Sequence, residues 1–191
     1  LTGLGVVTLA GGSGDDTYIV SDQRARVLEA VNNGIDTVVS AGDFRLSDGV
    51  ENLILTGRAR LGEGNYLDNH ISGDNASLYG YGGDDVLSGD RSRLTGGTGS
   101  DTFKLSISST NPSIVMDFSV GVDRIAVDFD VRTEYFIVGT EAMDADDYLI
   151  YNSGTGVLYY DSDASGIEEQ KEIALLADRL DLTAQDFDSF V

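Results

Sequence analysis

The sequence predicts an all-β fold, a solenoid over residues 1–105 followed by a β-rich region over residues 106–191. Three observations carry this reading. A glycine-rich nonapeptide with one acidic and one large apolar residue recurs, as in "GGSGDDTYI" (11–19), "GYGGDDVLS" (80–88) and "GGTGSDTFK" (96–104). Asn69, Asp85 and Asp101 are each sixteen residues apart, and Ile71, Leu87 and Phe103 keep the same step. The remaining Val, Ile, Leu, Tyr and Phe fall in short runs of strand length.

Each element follows from the repeat. In "TFK" or "VLS" side chains alternate in direction, so the large apolar residue alone points inward. One coil cannot bury such a stripe, but stacked coils can. Leu9, Tyr18, Val38, Ile71, Leu87 and Phe103 are the expected core of one sheet. "GDNASLY" (73–79) and "GDRSRLT" (89–95) are related seven-residue half-turns, and they place Leu78 and Leu94 on the opposite sheet. Weaker copies occupy 2–10, 31–39 and 64–72, with Val7 where the others carry an acidic or amide residue. Earlier steps are uneven: Asp16 to Asp36 is twenty, and Asp36 to Asn52 is sixteen. After about Leu105 the motif stops and runs such as "SIVMDF", "DYLIY" and "GVLYYD" follow. "NSGTG" (152–156) reads as a hairpin loop, and Thr183 as the cap of a short helical turn. "EEQKEIALLADRL" has a helical composition, yet "EIALL" also suits a strand.

Composition bounds the function. The 33 acidic and 12 basic residues give a net charge of −21, which repels nucleic acid and anionic membranes and attracts small cations. No apolar run has the length of a membrane span. The chain has no cysteine and one histidine, His70, at an outward position, so thiol and Ser–His chemistry and a histidine-rich zinc site are disfavoured. The expectation is a chain that is not an enzyme.

The repeat suits calcium, a hard ion that takes six to eight oxygen ligands. Glycine-rich turns expose carbonyls, the acidic residue supplies charge, and stacking holds an ion between two turns. The strongest expected site pairs Asp85 with Asp101, plus carbonyls near Gly80, Gly82, Thr98 and Gly99. Asn69 with Asp85, Asp101 with Asp117, and Asp16 with Asp36 are the neighbouring pairs. A second candidate, "DSDASGIEEQKE" (161–172), has EF-hand spacing through Asp161, Asp163, Ser165, Gly166 and Glu172, but "VLYY" precedes it where an EF-hand has a helix. It reads either as a calcium loop or as a solvated acidic turn between strands.

These nonapeptides, with "GVENLILTG" (49–57), "GEGNYLDNHISG" (62–73), "DFSVGVDRI" (117–125) and the ending "LTAQDFDSFV", resemble the C-terminal part of RTX (repeats-in-toxin) proteins. The resemblance implies a right-handed parallel β-roll with several calcium ions between its turns. It also implies a C-terminal cap, and an uncleaved signal near the C-terminus read by a type I secretion machinery. By motif, Asp16, Asp36, Asp85 and Asp101 match the ligand position, Asn69 matches it with an amide, and Asp117 and Asp123 belong to the segment after the roll. The expected role is a non-catalytic module of a larger exported protein, extracellular or at the cell surface, that folds on calcium. Leu1 in first place fits a piece of such a chain, with upstream domains as partners. The alternative is an adhesin or surface-layer segment that binds a surface or a carbohydrate.

Overall fold

The computed structural model describes residues 2–3, 7–21, 24–31, 33–109 and 111–190; residues 4–6 and 32 of the weak copies lie outside it. Among the described residues the fold is two long sheets with almost no helix. The first sheet joins β1 (Thr2–Gly3), β3 (Thr17–Val20), β5 (Thr37–Ser40), β7 (Asn52–Leu55), β9 (His70–Ser72), β11 (Val86–Ser88), β13 (Thr102–Leu105), β15 (Arg124–Val127) and β20 (Phe187–Ser189). Every pairing in it is parallel. The second sheet stacks β6 (Phe44–Arg45), β8 (Leu61–Glu63), β10 (Ser77–Gly82), β12 (Arg93–Thr98), β14 (Ser113–Val115) and β19 (Lys171–Leu176), also in parallel. It continues antiparallel into β18 (Val157–Tyr160) and β17 (Leu149–Asn152), and β16 (Phe136–Val138) ends it. A short pair, β2 (Thr8–Leu9) with β4 (Arg26–Val27), lies apart. The chain alternates between the sheets coil by coil, so the architecture is a parallel β-solenoid.

The core is two apolar ladders that face each other. In the first sheet Tyr18, Val38, Leu53, Ile71, Leu87, Phe103, Ile125 and Phe187 stand in register, one per coil. In the second, Leu78, Leu94, Val115 and Leu176 do the same. All twelve are buried. Leu9 differs from the other expected core residues in being only partly buried, on the separate β2–β4 pair. Gly62 takes a ladder position because a β-carbon there would press on the ends of Leu55 and Leu78.

Stacking continues past Leu105, where the motif ends, because β14 and β15 extend both ladders. "EIALL" is strand β19: parallel β14 on one side and antiparallel β18 on the other override its helical composition. Residues 153–156 form the hairpin loop between β17 and β18, with Gly156 at φ +82°. Thr183 caps a 3-10 turn, Ala184–Asp186, through a capping box with Asp186. The same Asp186 carboxylate accepts the Gly121 N–H and so ties the last strand to the preceding coil.

Truncation should separate the ladder from the outer face. Leu87→Ala removes a fully buried ladder side chain and is expected to cost about 2–5 kcal/mol. Ile54→Ala acts on a side chain 41% exposed on the opposite face of the same sheet and is expected to cost under about 1 kcal/mol. Urea unfolding of both variants in one buffer checks the contrast.

Candidate metal centre

Where a coil turns into the first sheet, the residue two positions before each ladder residue lies at the solenoid's edge. In chain order these are Asp16, Asp36, Glu51, Asn69, Asp85, Asp101 and Asp123. The backbone N–H at such a turn lies beyond the strand ladder and needs another acceptor. For five of these residues the next coil's side chain supplies it. Asp16 N–H donates to Asp36 Oδ1 (2.8 Å), Asp36 N–H to Glu51 Oε2 (2.8 Å), and Asn69 N–H to Asp85 Oδ1 (2.7 Å). Asp85 N–H donates to Asp101 Oδ1 and Asp101 N–H to Asp123 Oδ1, both at 3.0 Å. Asp36, Asn69, Asp85, Asp101 and Asp123 are buried.

This column differs from the sixteen-residue count in two places. Asn52 is the first residue of β7, in register with Thr37, so Glu51 holds the edge position of that coil. After Asp101 the next member is Asp123, twenty-two residues on. Asp117, sixteen on, instead accepts from Gly96 N–H and Gly97 N–H with its two oxygens at 3.0 and 2.9 Å.

One carboxylate oxygen per coil accounts for the backbone bond; the second oxygen of Asp123 accepts Ser119 N–H at 2.7 Å, and those of Asp36 and Asp85 are the informative ones. Asp36 Oδ2 and Asp85 Oδ2 are buried with no hydrogen-bond partner. Asp85 Oδ2 and the Gly96 carbonyl oxygen both crowd the space that a β-carbon on Gly80 would fill. Asp85 Oδ2, buried without a donor, carries a charge that a proton or a cation would neutralise. Burial pushes the Asp85 carboxyl up to about 7, with Asp101, Asp68 and Asp84 adding like charge. Burial and the Asp123 charge push Asp101 up to about 6. Asp36 and Asp123 are raised by burial as well. Asn69 escapes the problem: its amide nitrogen donates to the Val50 and Glu51 carbonyls at 3.3 and 3.2 Å.

The opposite edge does the same backbone work with Asp43, which accepts Arg60 N–H at 2.7 Å, and then, in two later coils, with serine. Ala76 N–H donates to Ser92 Oγ and Ser92 N–H to Ser113 Oγ, at 3.2 and 3.1 Å. Each hydroxyl passes its own proton to a glycine carbonyl, Gly73 or Gly89. Serine therefore suffices for closure of the turns at Ala76 and Ser92. The carboxylates on the other edge bring a negative charge that those two turns do without.

The other predicted residues are placed as follows. The Thr98 carbonyl accepts the Gly83 N–H at 3.0 Å. Gly82 lies beside Thr98 Oγ1, and Gly99, at φ +135°, packs against the Gly83 carbonyl. The Gly80 carbonyl faces Gly64 and Asn69 in the preceding coil. Asp161 is buried and accepts Asp163 N–H at 3.2 Å, while Asp163 Oδ2 accepts Ile167 N–H at 2.9 Å and Glu168 N–H at 3.2 Å. Glu172 lies on β19 opposite Tyr159, so strands flank this loop on both sides. Asp161, Glu168 and Glu172 line a 550 Å³ groove with Glu141 and Glu169.

Several acidic residues were missed by the motif. Glu29 joins Asp16 and Asp36 in a group whose carboxylate oxygens lie within 4.8 Å of one another, a group that could hold a metal ion. Glu29 also accepts from the Tyr18 hydroxyl and from Gly11 N–H, and these bonds hold its carboxyl below the usual range. Asp144, Asp146 and Asp147 form a second such group. Asp15, Asp68 and Asp84 make an outer column of opposite sense, in which the later coil donates: Ile35 N–H to Asp15, Asp84 N–H to Asp68 and Ser100 N–H to Asp84. The signal for Glu51 was present: it stands two residues before a ladder position, as Asp85 does.

The chain matches no known family model. Among curated proteins it is similar to the endo-1,3-1,4-beta-glycanases ExsH and EglC of Rhizobium meliloti (strain 1021). Each is 40% identical over 67 residues, which is 35% of this chain and 14% of the relative. The chain thus spans about 14% of the length of these relatives.

The raised carboxyls have a definite pH signature. Between the unfolded value near 3.9 and the folded value near 7, the folded chain binds more protons, so stability is greatest at acid pH and is lost as pH rises. Metal-free chain should therefore hold more β-structure at about pH 5 than at about pH 8. Asp85→Asn should flatten that dependence. Circular dichroism in chelator across this range checks both.

Proposed function

We propose that this chain is a calcium-binding module of the RTX (repeats-in-toxin) kind, whose coils close when calcium neutralises the acidic column. The observation that carries the reading is the pair of buried, partnerless carboxylate oxygens of Asp36 and Asp85, set against two turns of the opposite edge, at Ala76 and Ser92, that close on serine hydroxyls. The residues that would hold the ions are Asp85, Asp101 and Asp123 with the Gly96 carbonyl, and Asp36 and Asp16 with Glu29. This donor set is oxygen throughout, which suits a hard cation and disfavours zinc or copper. The cation supplies positive charge between acceptors that otherwise repel.

Magnitudes support a folding role. An extracellular site with a dissociation constant of roughly 0.1 mM adds about 1.4–2.7 kcal/mol at about 1–10 mM calcium. A few such sites match the roughly 5–15 kcal/mol stability of a domain. At the far lower calcium of a cell interior the chain keeps its net charge of −21 and stays open. Such a chain suits export through a type I secretion channel and closure outside the cell. Strands β16–β20 would then cap the growing end and protect its edges. Among the described residues no helix is long and apolar enough to cross a membrane. The proposal assigns no catalysis to this chain; the glycanase activity belongs to the relatives' names, and the match covers only 14% of them.

Circular dichroism of chelated protein during calcium titration tests the reading. The β signal should be low in chelator and return in the millimolar range. Joint Asp85→Ala and Asp101→Ala substitution should raise the midpoint about tenfold or more, a loss of about 1.4 kcal/mol. Asp163→Ala should move it less than about twofold, since its carboxylate is occupied by two local amides. A full β spectrum in chelator at neutral pH would contradict the proposal.

A further inference from the structure

Tyr81 has a backbone φ of +80°. Its equivalents in the other two clear repeats are Gly12 and Gly97, at +98° and +109°. Tyr81 pairs directly with Gly97 across the parallel ladder. A residue with a β-carbon pays roughly 1–2 kcal/mol in this region, which glycine avoids. The repeat therefore replaces glycine by a strained tyrosine in one coil. Strain retained against an available unstrained residue points to a use for the side chain.

That side chain is held in place yet open. Tyr81 and Tyr79 lie on the outer face of β10, both 37% exposed, with ring centroids 6.3 Å apart and planes 26° from parallel. The Arg45 guanidinium sits 5.2 Å from the Tyr81 ring centre, and the Tyr81 hydroxyl donates to Glu63. Tyr79 is flanked in register by Glu63 and Thr95, and Tyr81 by Gly97, so small neighbours on the β12 side leave the rings accessible. The result is a rigid pair of aromatic rings edged by a carboxylate, a guanidinium and hydroxyls.

We propose that Tyr79 and Tyr81, with Arg45 and Glu63, form a binding platform for a neutral polysaccharide. Sugar rings offer apolar C–H faces to stack on tyrosine and edge hydroxyls to bond the flanking charged groups. Two rings are too small a patch for a stable protein interface, which buries roughly 1,200 Å² or more. A net charge of −21 repels polyanions, including acidic glycans and nucleic acid. Pre-ordered rings bind with little loss of side-chain freedom, which offsets the backbone strain.

The platform is independent of the metal proposal, and its test is run in millimolar calcium with circular dichroism confirming the fold. The probe is soluble mixed-linkage β-1,3-1,4-glucan cast into a native gel, with alginate as the acidic control. The wild-type chain should be retarded by the glucan and not by alginate. Tyr81→Gly and Tyr79→Ala should each weaken retardation about fivefold or more. Tyr81→Gly should also keep or raise the urea midpoint, because it relieves the strained φ. Tyr79→Ala carries no such backbone change and tests the platform by itself. No retardation of the wild type, unchanged retardation of both variants, or stronger retardation by alginate would overturn the proposal. A lowered urea midpoint in Tyr81→Gly would assign the ring to the fold instead, and overturn it equally.

Discussion

The hydrogen bond from one coil's edge N–H to the next coil's side-chain oxygen is the contact on which this solenoid depends. Parallel strands satisfy one another along their length, but the chain must leave each sheet at a turn, where amides lose their ladder partners. One side chain per coil, aligned by the ladder, closes that gap from Asp16 to Glu51 and again from Asn69 to Asp123. The same alignment stacks carboxylates about one coil apart in a buried setting. Stacking gives the fold its length and concentrates the charge that opposes it. The serine edge, with Ser92 and Ser113, meets the first requirement without the second.

Much of this was legible in the sequence wherever coils have equal length. Between Asn69 and Asp101 the nine-plus-seven period places edge, ladder and opposite-sheet residues together. Ile71, Leu78, Leu87, Leu94 and Phe103 are all buried. Elsewhere loop insertions change the count, and register follows the apolar ladder rather than a fixed step. Glu51 and Asp123 hold edge positions because Leu53 and Ile125 continue the ladder two residues later. Counting sixteen from a neighbour instead reaches Asn52 and Asp117. Strand β19 was ambiguous for a different reason: its composition suits a helix, and only its two neighbours decide the matter. Tyr81 in place of glycine is legible in the repeat, but the positive φ that it keeps is a backbone property that only the structure gives.

The two faces of the molecule carry different chemistry. The acidic edge is a folding device in the proposed account, since two of its buried oxygens, Asp36 Oδ2 and Asp85 Oδ2, lack hydrogen-bond partners. The outer face of β10 is a surface device, with exposed rings whose cost is local strain. The relatives join a segment like this one to a longer chain, of which it matches 14%. A calcium-closed module with a glycan-binding face would give such a parent both a folding trigger and a hold on a polymer.

The most direct test of the central claim is to remove the charge while keeping the acceptor. Asn69 already shows an amide seated in the column, its Oδ1 accepting Asn65 N–H of its own coil and its nitrogen donating to carbonyls of the preceding one. A variant carrying Asp36→Asn, Asp85→Asn, Asp101→Asn and Asp123→Asn should fold in chelator at neutral pH, with the circular dichroism spectrum of the calcium-loaded wild type. A variant that stays unfolded in chelator and still requires calcium would contradict the claim that neutralising this column is what closes the coils.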